Sequence, residues 1–314
     1  MSPSPRQIVR RLSDRLIGSD FDRALARAAR DPRDGVLMFW NRGLGDVVLA
    51  LVPLFARIRR DAPGARITVL TRAELEEPFR LTDADEIRVV PGLTRNARIP
   101  LSDVRAACGR EPDRFAAVLL DLDPTRWLRG QLHRFPPSLR WNAAWDALAA
   151  AVVPESPGRR LIGAHVSSET GGYYSYVKDW PVERWRELIA RFGGVDGLHC
   201  VLFGHRSEPA LDLPNVCDLR GRTGFLEMLA IVKNRCRALV GPDSGILNTA
   251  FYLDTAAPIA LVSLWSDPRQ GILRQGSPSP NPELTHIPIV GRDEDVRNIT
   301  VDEVERALRQ ALQR

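Results

Sequence analysis

Between Gly35 and Thr71 the chain spells out one β–α–β unit, and that unit fixes the class of fold open to it. Gly35-Val-Leu-Met-Phe-Trp40 is an unbroken apolar run of the kind a strand buried on both faces requires. The turn Asn41-Arg42-Gly43-Leu44-Gly45-Asp46 follows, and residues 47–60 are predicted to form an apolar helix stopped by Asp61-Ala-Pro-Gly64. Residues 66–71 form the next predicted strand. Two strands joined through a helix run parallel, so the expectation is an α/β protein with a parallel sheet.

The same alternation starts again after Pro154-Glu-Ser-Pro-Gly158, whose prolines, glycine and polar residues suit a linker. A chain of 314 residues is also long for one core. We therefore expect an N-terminal helical extension over 1–33, a first α/β domain over 34–153 and a linker over 154–160. A second α/β domain is expected over 161–298 and a closing helix over 299–314, with a ligand in the cleft between the two domains. Strands are expected at 86–90, 116–121, 160–165, 198–203, 215–219, 238–240 and 256–264. Helices are expected at 127–151, interrupted by Pro136-Pro137, and at 182–192, 225–233 and 245–253.

Composition narrows the function classes. Hydrophobic residues make up 44% and charged residues 26%, the profile of a soluble globular protein. No apolar run approaches the ~20 residues of a membrane span and no signal-peptide core is visible, which points to the cytoplasm. Cys108, Cys200, Cys217 and Cys236 form no Cys-x-x-Cys pair, so neither a zinc site nor a disulfide framework is indicated. The net charge of +5 suits an anionic ligand. Because the excess is spread along the chain without aromatic interleaving, nucleic acid is not favoured. The basic amphipathic segment 1–30 fits either a helix packed on the protein body or peripheral contact with an inner membrane, its charge diluted by Asp14, Asp20 and Asp22. Among 44 basic residues only Lys178 and Lys233 are lysines, which draws attention to positions where an ammonium persists.

Several motifs carry chemistry. The first glycine turn stops at Gly-x-Gly, with Val48 where a dinucleotide fingerprint needs its third glycine, and no Gly-Lys pair makes a P-loop. Asp46 starts a helix at the carboxyl end of the first strand, where open α/β sheets bind ligands; it is either a helix cap or a general base. Asp121-Leu122-Asp123 could hold a divalent metal, but spacing two on a strand sends the carboxylates to opposite faces. Ala238-Leu-Val-Gly-Pro-Asp243-Ser244-Gly245 is a strand–turn–helix junction whose free backbone N–H groups attract phosphate, unless Ser244 or Asp243 serves as an ordinary cap. Residues 169–177 form a Gly- and Tyr-rich loop in which Tyr173, Tyr174 and Tyr176 suit stacking on a sugar or covering neighbouring surface.

Taken in order, these motifs resemble glycosyltransferase family nine, the bacterial ADP-heptose:lipopolysaccharide heptosyltransferases. The likeness rests on Gly43-Leu44-Gly45-Asp46-Val47-Val48 with Leu51 and Pro53, His165-Val-Ser167-Ser168, Lys178-Asp-Trp180-Pro181-Val-Glu183-Arg-Trp185, Gly241-Pro-Asp243-Ser244-Gly245 and Ser266-Asp267-Pro268. It implies two Rossmann-like domains facing across a cleft, the GT-B architecture. It also implies metal-independent, inverting transfer of a sugar from a nucleotide diphosphate, with no cofactor. Carried over residue by residue, it makes Asp46 the base and puts Ser167, Ser168, Lys178, Ser244 and Gly245 at the diphosphate. Glu208 falls at the ribose or base, Asp243 at the donor sugar, and Gly45, Asp121 and Asp123 on the acceptor side. Asn248 is a donor-side departure, standing where the family has histidine. The implied donor is a nucleotide sugar, ADP-heptose first. The acceptor is a glycan, a lipid-linked glycan or a small molecule. A transferase with another donor and a secondary-metabolite acceptor, or a silent nucleotide-sugar binder, are the alternatives; oligomeric state is not legible.

Overall fold

The computed structural model describes residues 20–31, 35–120, 122, 135–153, 160–168, 176–192, 198–205, 210, 211, 213, 216–255 and 257–313. They form two compact units, one made of Met1–Gly43 with Ala50–Phe135, the other of Leu44–Leu49 with Pro136–Arg314. The division falls at 135/136, ahead of the linker expected at 154–160, of which 154–159 lie outside the described residues.

In the first unit, strands β1 (Val36–Trp40), β2 (Ile67–Thr71), β3 (Glu86–Val89) and β4 (Ala117–Leu119) form a parallel sheet in the order β3-β2-β1-β4. Every residue of β1 and β2 is buried, as their unbroken apolar runs require. Helix α1 (Asp20–Arg30) buries Phe21, Ala24, Leu25 and Ala28 along one face, and Asp22 pairs with Arg57, whose guanidinium covers the Phe21 ring. The described part of the N-terminal segment thus packs on the protein body; residues 1–19 lie outside the described residues.

The helix expected over 47–60 starts earlier and is broken in two within its expected span. A single α-turn, Leu44–Asp46, passes into a π-helical stretch, Val47–Leu51, before α2 (Val52–Asp61) begins. Pro53 near the start of α2 explains the break, because its ring lacks an N–H and crowds the carbonyl four residues back, which the wider π-turn relieves. Short helices α3 (Glu76–Arg80) and α4 (Leu101–Cys108) complete the unit's described helices.

The second unit is larger. Helix α5 (Asp146–Val152) leads in, and strands β5 (Arg160–His165), β6 (Leu198–Phe203), β7 (Val216–Asp218), β8 (Cys236–Pro242), β9 (Ile259–Trp265) and β10 (Leu284–Val290) pair in parallel in the order β10-β9-β8-β5-β6-β7. Its other described helices are α6 (Val182–Phe192), α7 (Phe225–Arg235), α8 (Gly245–Phe251), α9 (Gly271–Gln275) and α10 (Val301–Leu312). Strand β10 escaped the sequence reading because it is a half-exposed edge carrying Pro288, a residue an edge tolerates.

One face of this sheet is sealed by α6 and α10. Trp185, Leu188, Ile189 and Phe192 from α6 and Val304 and Leu308 from α10 pack on Ile162, Ala164, Leu202, Val240 and Val262. Trp180 meets Trp185 edge to face at 5.0 Å and donates its indole N–H to the Ile299 carbonyl. At the start of α10, Thr300 and Glu303 form a reciprocal capping box. On the α5 side, Asp146 accepts from Lys233 and Asn234, which fastens α5 to α7. Trp185→Ala should therefore lower the unfolding free energy by about 3–5 kcal/mol through the cavity it leaves, read from the urea midpoint.

Candidate active site

A parallel sheet exposes a crevice where successive connections leave in opposite directions, beyond the carboxyl ends of two neighbouring strands. In the second unit that point lies between β5 and β8, since the chain runs from β5 outward to β6 and β7 and from β8 outward to β9 and β10. The segments leaving these two strands are Val166-Ser167-Ser168 and Asp243-Ser244-Gly245, so the topology brings together two of the motifs singled out by sequence.

Ser244 is the N-cap of α8. Its backbone is extended (φ −146°, ψ 162°) and its Oγ accepts the Leu247 N–H at 3.2 Å, which leaves the amides of the first turn facing the crevice. The Lys178 ammonium donates to Asp243 Oδ2 at 2.7 Å, both side chains only 7% exposed. Tyr176 donates its hydroxyl to the same oxygen at 3.2 Å, and its ring lies 5.5 Å from the ammonium. The loop that delivers Tyr176 and Lys178 is held by the buried Ser266, which donates to the Val177 carbonyl and accepts the Val296 N–H at 2.8 Å. On the other side, Asp179 accepts the Ser168 N–H at 2.5 Å. Burial raises the Asp179 pKa, opposed by that hydrogen bond and by Lys178.

The Leu44–Leu49 segment, which counts with this unit, packs directly on the start of α8. A Cβ on Gly245 would sit 2.6 Å from Leu44 Cδ2 and 2.8 Å from the Gly45 nitrogen, so this approach requires glycine. Asp46 closes the turn next to it and is half-buried. Asn248, one turn into α8, is buried and accepts the Ile272 N–H at 3.2 Å. Gly271, at φ +47°, stands where a Cβ would meet Trp265 at 2.7 Å and both Asp243 Oδ1 and Asn248 Oδ1 at 2.9 Å. Gly271 carries no sequence signal beyond being a glycine after a turn, and the sequence reading passed over it.

Of the remaining expected residues, Ser168 is buried and Ser167 half-buried. Ser167 Oγ lies 3.9 Å from the Cβ position of Gly204, close to Arg220 Cγ at 3.6 Å from the same point. Arg220, missed by sequence, is buried and gripped by Asp218 at 2.9 and 2.7 Å. Asp121, Asp123, Glu208, Tyr173 and Tyr174 lie outside the described residues. The first unit has a cavity of its own of about 460 Å³ at the carboxyl ends of β1 and β4, lined by Trp40, Asn41, Arg42, Arg98, Ile99 and Leu122 among others. Asn41 shapes its rim by donating to the carbonyls of Thr94 and Ala97.

Residues 143–263, which contain β5, β8, Lys178 and the start of α8, match the family model described as glycosyltransferase family 9 (heptosyltransferase). Over that stretch the chain is similar to glycosyltransferase family 9. No curated protein matches it by sequence. Among solved structures, a family 9 glycosyltransferase from Veillonella parvula is 17% identical, covering 88% of this chain and 97% of that one at a TM-score of 0.61. The E. coli ADP-heptose lipopolysaccharide heptosyltransferase II is 18% identical over 89% and 98% at 0.61. E. coli heptosyltransferase WaaC, solved with ADP, is 14% identical over 88% and 98% at 0.50. These likenesses carry the fold, and the two parallel α/β sheets expected of a GT-B architecture are both present. Among the described residues no helix is long and apolar enough to cross a membrane, and no group of three or more His, Cys, Asp or Glu is placed to hold a metal ion.

Two measurements follow from this site. Lys178→Met leaves Asp243 charged and buried, which costs about 3–5 kcal/mol. Lys178→Met with Asp243→Asn should cost less than the two single changes added together, as a double-mutant cycle of urea unfolding would register. His165, at the end of β5, is buried with no hydrogen-bond partner for Nδ1 among the described residues, and burial lowers its pKa from 6.5 to about 4. Its neutral form is the one that folds, so its contribution to stability is complete above pH 6.5 and is lost as pH falls toward 4, on the order of 3 kcal/mol. His165→Gln should flatten that part of the stability-versus-pH curve.

Proposed function

We propose that the protein is an inverting, metal-independent transferase that moves a sugar, a heptose carried on ADP, from a nucleotide diphosphate to an acceptor hydroxyl. The observation that carries this reading is the Lys178 ammonium buried beside the first turn of α8 at the switch point of the second sheet. The chemistry of the matched family, the ADP-heptose in the name of E. coli heptosyltransferase II and the ADP bound to WaaC point the same way.

In the reaction the acceptor oxygen attacks the anomeric carbon while the bond from that carbon to the diphosphate oxygen breaks, and ADP leaves with an added negative charge. Asp46 takes the acceptor proton. Lys178, the α8 amides, Ser244 and Ser168 stabilise the leaving diphosphate, doing with an ammonium and oriented dipoles what a metal does elsewhere. The diphosphate competes with Asp243 for Lys178 and so releases the Asp243 carboxylate to accept from sugar hydroxyls, with Tyr176 still donating to it. Ser167 joins Ser168 and Ser244 at the diphosphate, and Glu208 takes the nucleoside side. The acceptor is a glycan, a lipid-linked glycan or a small molecule. The enzyme works in the cytoplasm.

Asp46→Asn should lower transfer by about 10²–10⁴-fold, the usual worth of a general base, while ADP affinity by calorimetry stays within about twofold. Unchanged turnover would remove Asp46 from the mechanism. A thermal-shift panel of ADP, UDP, GDP and NAD separates the donors, since a ligand at 100 times its dissociation constant stabilises by about 2.7 kcal/mol. Stabilisation by ADP is the expected result, and stabilisation by NAD alone would overturn the reading.

A further inference from the structure

Asn248 sits at the meeting point of three segments distant in sequence. Its Oδ1 accepts the Ile272 N–H at 3.2 Å, at the cap of α9, and crowds the Cβ position of Gly271 at 2.9 Å. Its Nδ2 lies 3.2 Å from where a Cβ on Gly45 would stand, and its own backbone N–H bonds the Ser244 carbonyl at 3.0 Å. Gly45 and Gly271 both lack a side chain where Asn248 takes up the room.

The arrangement has a chemical logic. A short planar amide offers an acceptor and a donor at the same reach, so one side chain can engage the α9 cap while its other end lies on the glycine turn. With 4% of its surface exposed and its acceptor engaged by the Ile272 N–H, Asn248 presents little to a sugar. Leucine would fill the space and leave the Ile272 amide without its partner. Aspartate would keep that partner but add a second carboxylate beside Asp243, whose Oδ1 crowds the same Gly271 position.

We propose that Asn248 is a positioning residue: it clips the Leu44–Leu49 segment, and with it Asp46, against the start of α8 and the cap of α9, instead of contacting the donor. The catalytic consequence rests on the reading of Asp46 as the base; the clip itself does not. A displacement of about 1 Å at a reacting group can cost about a hundredfold in rate, so a residue two contacts from the chemistry still controls turnover.

The test compares Asn248→Ala, Gly45→Ala and the double variant. Amide hydrogen exchange should rise about tenfold or more across residues 44–49 and at Ile272 in Asn248→Ala, with β5, β6 and β8 unchanged. With ADP-heptose as donor, kcat should fall about ten- to a hundredfold while donor KM and ADP affinity move less than about twofold. Gly45→Ala alone should be as damaging, and Asn248→Ala should relieve part of that damage because it removes the atom the new methyl meets. Wild-type exchange over 44–49 in Asn248→Ala, or a rise in donor KM at constant kcat, overturns the clip. If the wild type transfers no sugar at all, the transferase reading fails on its own, and exchange together with the Gly45/Asn248 coupling still decides whether the clip exists.

Discussion

The Lys178–Asp243 ion pair is the interaction on which the second unit's crevice depends. Each side chain is almost wholly out of water, where an isolated charge costs several kcal/mol, so neither can be placed without the other. The pair links the loop after β5 to the turn after β8 across 65 residues of chain. Tyr176 and Ser266 then tie the same loop to Asp243 and to the end of β9. In the proposed reaction this gives the leaving diphosphate an ammonium already desolvated and oriented, which is what electrostatic preorganisation requires.

The second constraint is steric. Gly45 and Gly245 let the backbone of the first glycine turn lie on the start of α8 at van der Waals contact, and Asn248 and Gly271 fill the remaining space from the side. Asp46 is carried by a turn gripped in this way and followed by a π-helical stretch, a local geometry that often accompanies functional sites. Charge therefore organises one side of the crevice and close backbone packing the other.

Much of the fold was legible in particular residues. The run 182–192 reads as a helix because Pro181 suits the position just before it and Trp185, Leu188, Ile189 and Phe192 recur on one face, and the structure has that helix with those residues buried. The buried strands β1, β5, β6 and β9 announce themselves as apolar runs. Elements whose stability comes from neighbours were harder to see: β10 is half-exposed and contains a proline, α4 is short and weakly patterned, and the π-turn answers to a steric clash that periodicity cannot register.

The sequence by itself determined the parallel α/β class and the restart of the pattern in a second half, because strand runs, glycine turns and caps are local signals with local causes. Only the tertiary structure decided that Lys178 pairs with Asp243, that Leu44–Leu49 packs on the start of α8, that Asn248 bonds the α9 cap, and that Arg220 is buried against Asp218. Those facts depend on strand order and on distances between segments tens to hundreds of residues apart. No periodicity encodes them, since a side chain's partner is set by which strand ends are brought side by side.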